Sequence, residues 1–225
     1  MVYYQYGDLL VRDMLPEDAD GFAEEERAQG WHASPDKFLT RLEHRREGRA
    51  LPLVAEYQGR IAGYLSVYKT PGAGPYAGKP WPEVVDFAVL MKFRGRGVGS
   101  ALMDVAEMIA AQTSDSICIG VGLHSGYGAA QRMYVRRGYV PDGSGVWYRD
   151  RVHEQYAPCV NDDDLVLHLA KRLREGGAHE RWIVELRGHG GAVFRAGRRV
   201  FAAGGAGRDV GFRLQLAARG GTRAV

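Results

Sequence analysis

One hexapeptide, Arg94-Gly95-Arg96-Gly97-Val98-Gly99, constrains this chain more than any other stretch. Ahead of it, Glu83–Leu90 is apolar and β-branched enough for a buried strand. Behind it, Leu102, Val105, Ala106, Ile109 and Ala110 recur at helical spacing. A strand that enters a glycine turn and leaves as an amphipathic helix calls for a layered α/β or α+β architecture. The turn also has a chemistry. A helix N-terminus leaves backbone N–H groups unpaired and carries partial positive charge. Glycines let an anion approach the backbone with no Cβ in the way. A pyrophosphate is the natural guest, and Arg94 and Arg96 add charge. By itself such a turn is equally compatible with no ligand. The absence of Gly-Lys-Ser/Thr excludes a nucleotide-hydrolase phosphate loop. A dinucleotide fold places its glycines after its first strand, whereas here they follow several strands.

The remaining elements fit the same architecture. Leu9-Leu10-Val11 reads as a strand, and Pro16-Glu17-Asp18 as a helix start. The helical region breaks near Gly30 and resumes from Ser34-Pro35 to about Glu47. Leu51–Tyr57 and Arg60–Tyr68 flank Gln58-Gly59 as a hairpin. Thr70–Pro82, rich in proline and glycine, is a loop. Ser116–Leu123 is a strand, and Ala129–Arg137 a short helix stopped by Gly138. Strand pieces follow at Tyr139–Val140 and Val146–Tyr148, and the last strand is Leu165–Leu169. The expected fold is a mixed, mostly antiparallel central sheet of about seven strands flanked by helices.

Composition divides the chain in two. Beyond Arg174, nine arginines face four acidic residues, so the tail carries +5; the whole-chain charge of +3 leaves −2 for the rest. The main domain therefore offers no basic face of the kind nucleic-acid binding needs. Residues 1–174 are expected to form the folded domain. Residues 175–225, dominated by Gly, Arg and Ala, read as a poorly ordered or non-native extension. An RNA-binding tail is the alternative there. No apolar run reaches about 18 residues, so no membrane span is expected, and the cytoplasm is the expected location. Cys118 and Cys159 suggest neither a disulfide framework nor a zinc site. Asp162-Asp163-Asp164 reads as a solvated turn rather than a metal cluster, and no metal is expected.

Two segments carry a resemblance. Glu83-Val84-Val85-Asp86-Phe87-Ala88-Val89, followed by Arg94-x-x-Gly97-x-Gly99, resembles the signature of the GCN5-related N-acetyltransferase (GNAT) family. Ala130-Gln131-Arg132-Met133-Tyr134-Val135-Arg136-Arg137-Gly138-Tyr139 is similar to that family's Ala-x-x-x-Tyr-x-x-x-Gly-Phe/Tyr segment. Leu9-Leu10-Val11-Arg12 with Pro16-Glu17-Asp18 is similar to its opening, so the likeness covers about residues 7 to 173. Gly126–Gly143 resembles a bacterial subgroup of generic acetyltransferases, which names no substrate.

The resemblance implies direct transfer of an acetyl group from acetyl-CoA, as co-substrate, to a primary amine in a ternary complex. It implies that pantetheine pairs with the backbone of Phe87, Ala88 and Val89 in a gap between two strands. The pyrophosphate would rest on the amides of Gly95, Arg96, Gly97, Val98, Gly99 and Ser100, helped by Arg94. Tyr134 falls at the family tyrosine that protonates the departing thiolate. The amine must lose a proton before it attacks. Glu83, eleven residues before Arg94, matches the base of the histone-acetylating branch. Asp86, placed on the opposite face by strand alternation, His124 and a water chain are the other candidates. Trp31-His32 lies where the family builds its acceptor-side wall. Arg136-Arg137 suits a helix end and could also meet a CoA phosphate. One departure is Tyr127, which stands where many members carry asparagine. The acceptor is a small-molecule or peptide amine, and dimers are common in the family, so a homodimer is compatible. An acyl-CoA-binding regulatory module without turnover is the alternative function.

Overall fold

The structure, a computed structural model, describes residues 1–173. The sequence-based reading of residues 175–225 lies outside the described residues. The chain begins with a hairpin of β1 (Val2–Tyr6) and β2 (Leu9–Asp13), followed by helices α1 (Asp18–Ala28) and α2 (Pro35–Arg46). A second hairpin, β3 (Ala50–Tyr57) and β4 (Arg60–Tyr68), leads through the proline- and glycine-rich loop to β5 (Glu83–Val89). Then come α3 (Val98–Ala110), β6 (Ser116–Gly122), α4 (Gly128–Arg136), β7 (Val140–Tyr148), the two-residue β8 (Arg151–Val152) and β9 (Leu165–Arg172). All nine strands join one sheet in the order β1-β2-β3-β4-β5-β6-β9-β7-β8. Every neighbouring pair is antiparallel except β5–β6. The count is therefore nine rather than about seven. The two additions are β1, whose residues are half exposed and give no apolar run, and the very short β8.

Local chemistry explains the element ends. The Ser34 hydroxyl accepts from the Asp36 amide at 3.2 Å, and Pro35 opens the helix behind it. Gln58 and Gly59 both have positive φ, as a two-residue hairpin turn matching strand twist requires. Arg12 of β2 donates two bonds to the buried Asp18 carboxylate, at 2.7 and 2.8 Å, and the Leu15 amide donates a third. This charge-assisted set ties the first central strand to the start of α1.

The helices cover both faces. On one, Phe22 of α1 and Phe38 of α2 meet Tyr64 of β4 edge-on, with ring centroids 4.9 and 5.0 Å away, and stack on each other at 5.4 Å. On the other, α3 buries Val98, Ala101, Leu102, Met103, Val105 and Ala106 against β2–β6. That contact depends on Gly63 of β4. A Cβ there would lie 2.8 Å from the Ala88 carbonyl oxygen and 3.1 Å from Val98 Cγ1. Gly63→Ala is therefore expected to force α3 and β5 off their seats and to cost roughly 1–3 kcal/mol. A thermal melt showing an unchanged Tm would refute this.

Among the described residues, no helix is long and apolar enough to cross a membrane.

Candidate functional site

The parallel pair β5–β6 is registered only at Glu83↔Cys118 and Val84↔Ile119. Beyond that point the strands part. Phe87, Ala88 and Val89 keep β4 on one side, where Ala88 faces Tyr64 and Val89 faces Gly63, but have no ladder partner on the β6 side. The sheet thus opens into a wedge, with one strand's edge unpaired at its centre.

The glycine turn sits at the end of this wedge. Gly97 closes the N-terminus of α3 in a left-handed conformation, φ 82°, and a Cβ built there would meet nothing within 4 Å. None of the six amides from Gly95 to Ser100 donates a hydrogen bond within the described residues. Six orphan donors at a helix start, in open space, fit the pyrophosphate of acetyl-CoA. Gly99 is different: its Cβ would touch Phe87 Cζ at 3.3 Å, so it seats α3 on β5. The Arg94 guanidinium lies 5.9 Å from the Trp31 ring centroid, and that of Arg96 5.4 Å from the Tyr57 ring. Trp31 therefore flanks the glycine turn. It is not among the residues that line the cleft with Glu83.

Across the wedge stands Tyr134 of α4, 3% exposed, with its ring 6.3 Å from that of Phe87 and 5.8 Å from that of Tyr139. Burial raises its pKa, and the neighbouring Tyr127 adds to the shift, so the phenol keeps its proton at neutral pH. Tyr127 fills the asparagine position differently. Its ring packs on Gly122, where a Cβ would lie 2.4 Å away, and its hydroxyl donates to Asp163 at 3.0 Å. The same carboxylate meets His124 Nε2 at 3.0 Å, while His124 Nδ1 accepts from the Gly126 amide. Both nitrogens of His124 are thus engaged in anchoring the turn. Asp162 accepts from the Asp164 amide, closing the turn before β9. Arg137 is bound to Glu107 and Asp104 of α3, at 2.9 and 2.7 Å, and locks α4 to that helix.

Glu83 lines a cleft of about 710 Å³ on the α2 side of the sheet, together with Arg41, His44, Tyr68, Thr70 and Val85. The carboxyl pKa is pushed up to about 7, chiefly by burial and secondarily by the negative charge of Asp150. A carboxyl poised there exchanges protons readily at neutral pH. Asp86 departs from the sequence expectation. It occupies a β-bulge opposite β4 with φ 55°, and its carboxylate pairs with Arg41, a residue of this same cleft. The extra residue of the bulge resets the alternation, which is why Asp86 and Glu83 address one helix, α2. Arg41 also donates to the Tyr68 hydroxyl at 2.7 Å, so Asp86 anchors the cleft wall. Asp150 and His168 also line this cleft, and no sequence motif marks either of them.

A mixed sheet opened between two parallel strands, with an amide cradle at one end and a titratable cleft beside it, defines an acyltransferase-like architecture. The sequence model of the Acetyltransferase (GNAT) family matches residues 12–139. The chain belongs to the GNAT acetyltransferase family. Solved structures share the fold at low identity. Ard1 from Thermoplasma volcanium is 19% identical with a TM-score of 0.55, over 75% of this chain and 100% of that one. The yncA protein of Salmonella typhimurium, solved with its cofactor acetyl-CoA, is 17% identical with a TM-score of 0.55, over 76% and 98%. The ribosomal-protein-S18-alanine N-acetyltransferase of Escherichia coli is 13% identical with a TM-score of 0.54, over 77% and 99%. No curated protein matches the chain.

Proposed function

We propose that this chain moves an acetyl group from acetyl-CoA directly to a primary amine in a ternary complex, with residues 1–174 as the catalytic unit. The observation that carries the proposal is the pair of features joined by β5: six unpartnered amides at Gly95–Ser100 and the Glu83 carboxyl in its cleft. The amides and the positive end of α3 hold the pyrophosphate, and the free edge of Phe87–Val89 receives the pantetheine amides. Glu83 takes the proton of the incoming ammonium. The amine nitrogen then bonds to the carbonyl carbon as the carbon–sulfur bond breaks. The amide near Val89 stabilises the oxyanion; Tyr134 gives its proton to the leaving thiolate, and the second proton, shed by the attacking nitrogen as the amide forms, restores the phenol. The cleft of about 710 Å³ beside Glu83 receives the acceptor, the primary amine of a small molecule or of a peptide.

The test is thioester consumption and product mass with the full chain and a library of primary amines. Tyr134→Phe is expected to lower kcat by roughly 10²-fold or more, the range for loss of a general acid, while acetyl-CoA affinity stays the same. Acetyl-CoA binding without acetylation of any amine would favour a regulatory module instead.

A further inference from the structure

The Arg94 side chain lies across the mouth of the wedge. Its Nε donates to the Val89 carbonyl at 3.4 Å, and its guanidinium sits 5.9 Å from the centroid of the Trp31 ring, within cation–π range. Arg94 forms no ion pair among the described residues. The carbonyl it takes belongs to the open side of β5. The Leu90 amide donates to the Ala62 carbonyl at 2.9 Å on the β4 side, so strand alternation turns the Val89 carbonyl away from β4. This is the edge with no ladder partner on the β6 side.

Arg94 therefore holds a backbone group that a pantetheine amide needs. The hold is light, because 3.4 Å is long for an N–H···O bond and Arg94 is exposed. A pyrophosphate on the Gly95–Ser100 amides offers the same guanidinium a charge-assisted partner, which is a stronger one.

The half-buried Trp31 is held from its own side. Its amide donates to the Glu26 carbonyl at 2.9 Å. Two other residues at the end of α1 seat that helix on the segment after β5. Gln29 Oε1 accepts from the Met91 amide at 2.9 Å, and Glu25 pairs with Lys92. Lys37 ties Glu26 to α2 at 3.1 Å. These contacts do not involve Arg94, so its guanidinium can leave the Trp31 ring while the backbone on both sides stays in place.

We propose that Arg94 and Trp31 form a clasp across the cofactor wedge of the free chain. Trp31 is a positioning residue that keeps the guanidinium on the Val89 carbonyl. Arg94 yields that carbonyl to a pantetheine N–H and turns to the pyrophosphate as the wedge fills. The clasp stabilises the free chain alone, so it lowers the apparent affinity for acetyl-CoA. The inference rests on the acetyl-CoA reading of the wedge, and a direct binding measurement separates the two.

Calorimetric titration of the full chain with acetyl-CoA, in the wild type, Trp31→Leu and Trp31→Phe, provides the test. Trp31→Leu removes the ring face and is expected to bind about two- to fivefold more tightly, the worth of one exposed cation–π contact. Trp31→Phe keeps an aromatic face and is expected to bind as the wild type does. A residue that only supported the fold, or that touched the ligand, would weaken binding when truncated. Thermal melts of both variants report on folding. Tryptophan emission gives a second readout. The chain has four tryptophans, so the Trp31 signal is taken as the difference between wild type and Trp31→Phe. It is expected to change on saturation with acetyl-CoA, because the guanidinium leaves the ring. The proposal is overturned if a folded Trp31→Leu binds acetyl-CoA with wild-type or weaker affinity, or if the Trp31 emission stays constant in a chain whose calorimetry shows binding. Should Trp31→Leu fail to fold, the emission decides. A folded wild type that binds no acetyl-CoA overturns the cofactor reading, and the clasp with it.

Discussion

Gly97→Glu is expected to weaken acetyl-CoA binding by at least about 100-fold, near 2.7 kcal/mol. Two effects add. Gly97 has φ 82°, a conformation that costs an L-residue roughly 1–2 kcal/mol. Its missing Cβ faces open space, so a glutamate would project over the amide cradle and set a negative charge where a pyrophosphate lies. Gly97→Ala separates the two effects. It carries the same backbone strain and should lower Tm about as much, yet keep most of the affinity. Calorimetry of both variants checks this, and equal loss of binding in the two would assign the effect to strain instead of charge.

Glu83→Gln is expected to reduce kcat by roughly 10²- to 10⁴-fold, the range for a general base, with acetyl-CoA affinity unchanged. The pH profile carries the sign. Glu83 acts as a base when ionised, and its pKa is pushed up to about 7. The rate should therefore fall as pH drops through about 7 and level off above it, and this limb should vanish in Glu83→Gln. A limb that persists unmoved in the variant would assign the base to another group or to a water chain.

How much of this was legible in the sequence depended on whether the signal was local. The glycine turn, the buried strand before it and the helix after it are contiguous, and period and composition report them directly. Gly138 ends α4 where a left-handed residue is needed, again a local signal. The alternation of β5 was misleading at one residue. Asp86 is an aspartate in left-handed conformation, which aspartate tolerates better than most side chains, and nothing in the neighbouring residues announces a bulge. The N-terminal strand was missed because Val2–Tyr6 buries no continuous face and is held by one edge of β2. Asp150 and His168 were invisible for a topological reason. They meet Glu83 only because β9 inserts between β6 and β7, an order that no spacing along the chain encodes. Tyr127 was legible as a departure, but its compensation through Asp163 joins positions 36 residues apart.

The central claim is that acetyl-CoA lies in the opened sheet, with its pyrophosphate on the start of α3. Amide hydrogen exchange of the full chain, with and without acetyl-CoA, tests it most directly. Saturating ligand should slow exchange at Gly95–Ser100, whose amides lack partners in the free chain, together with the segment Phe87–Val89, whose edge is unpaired on the β6 side. Binding with unchanged exchange at both segments would place the ligand elsewhere and contradict the account.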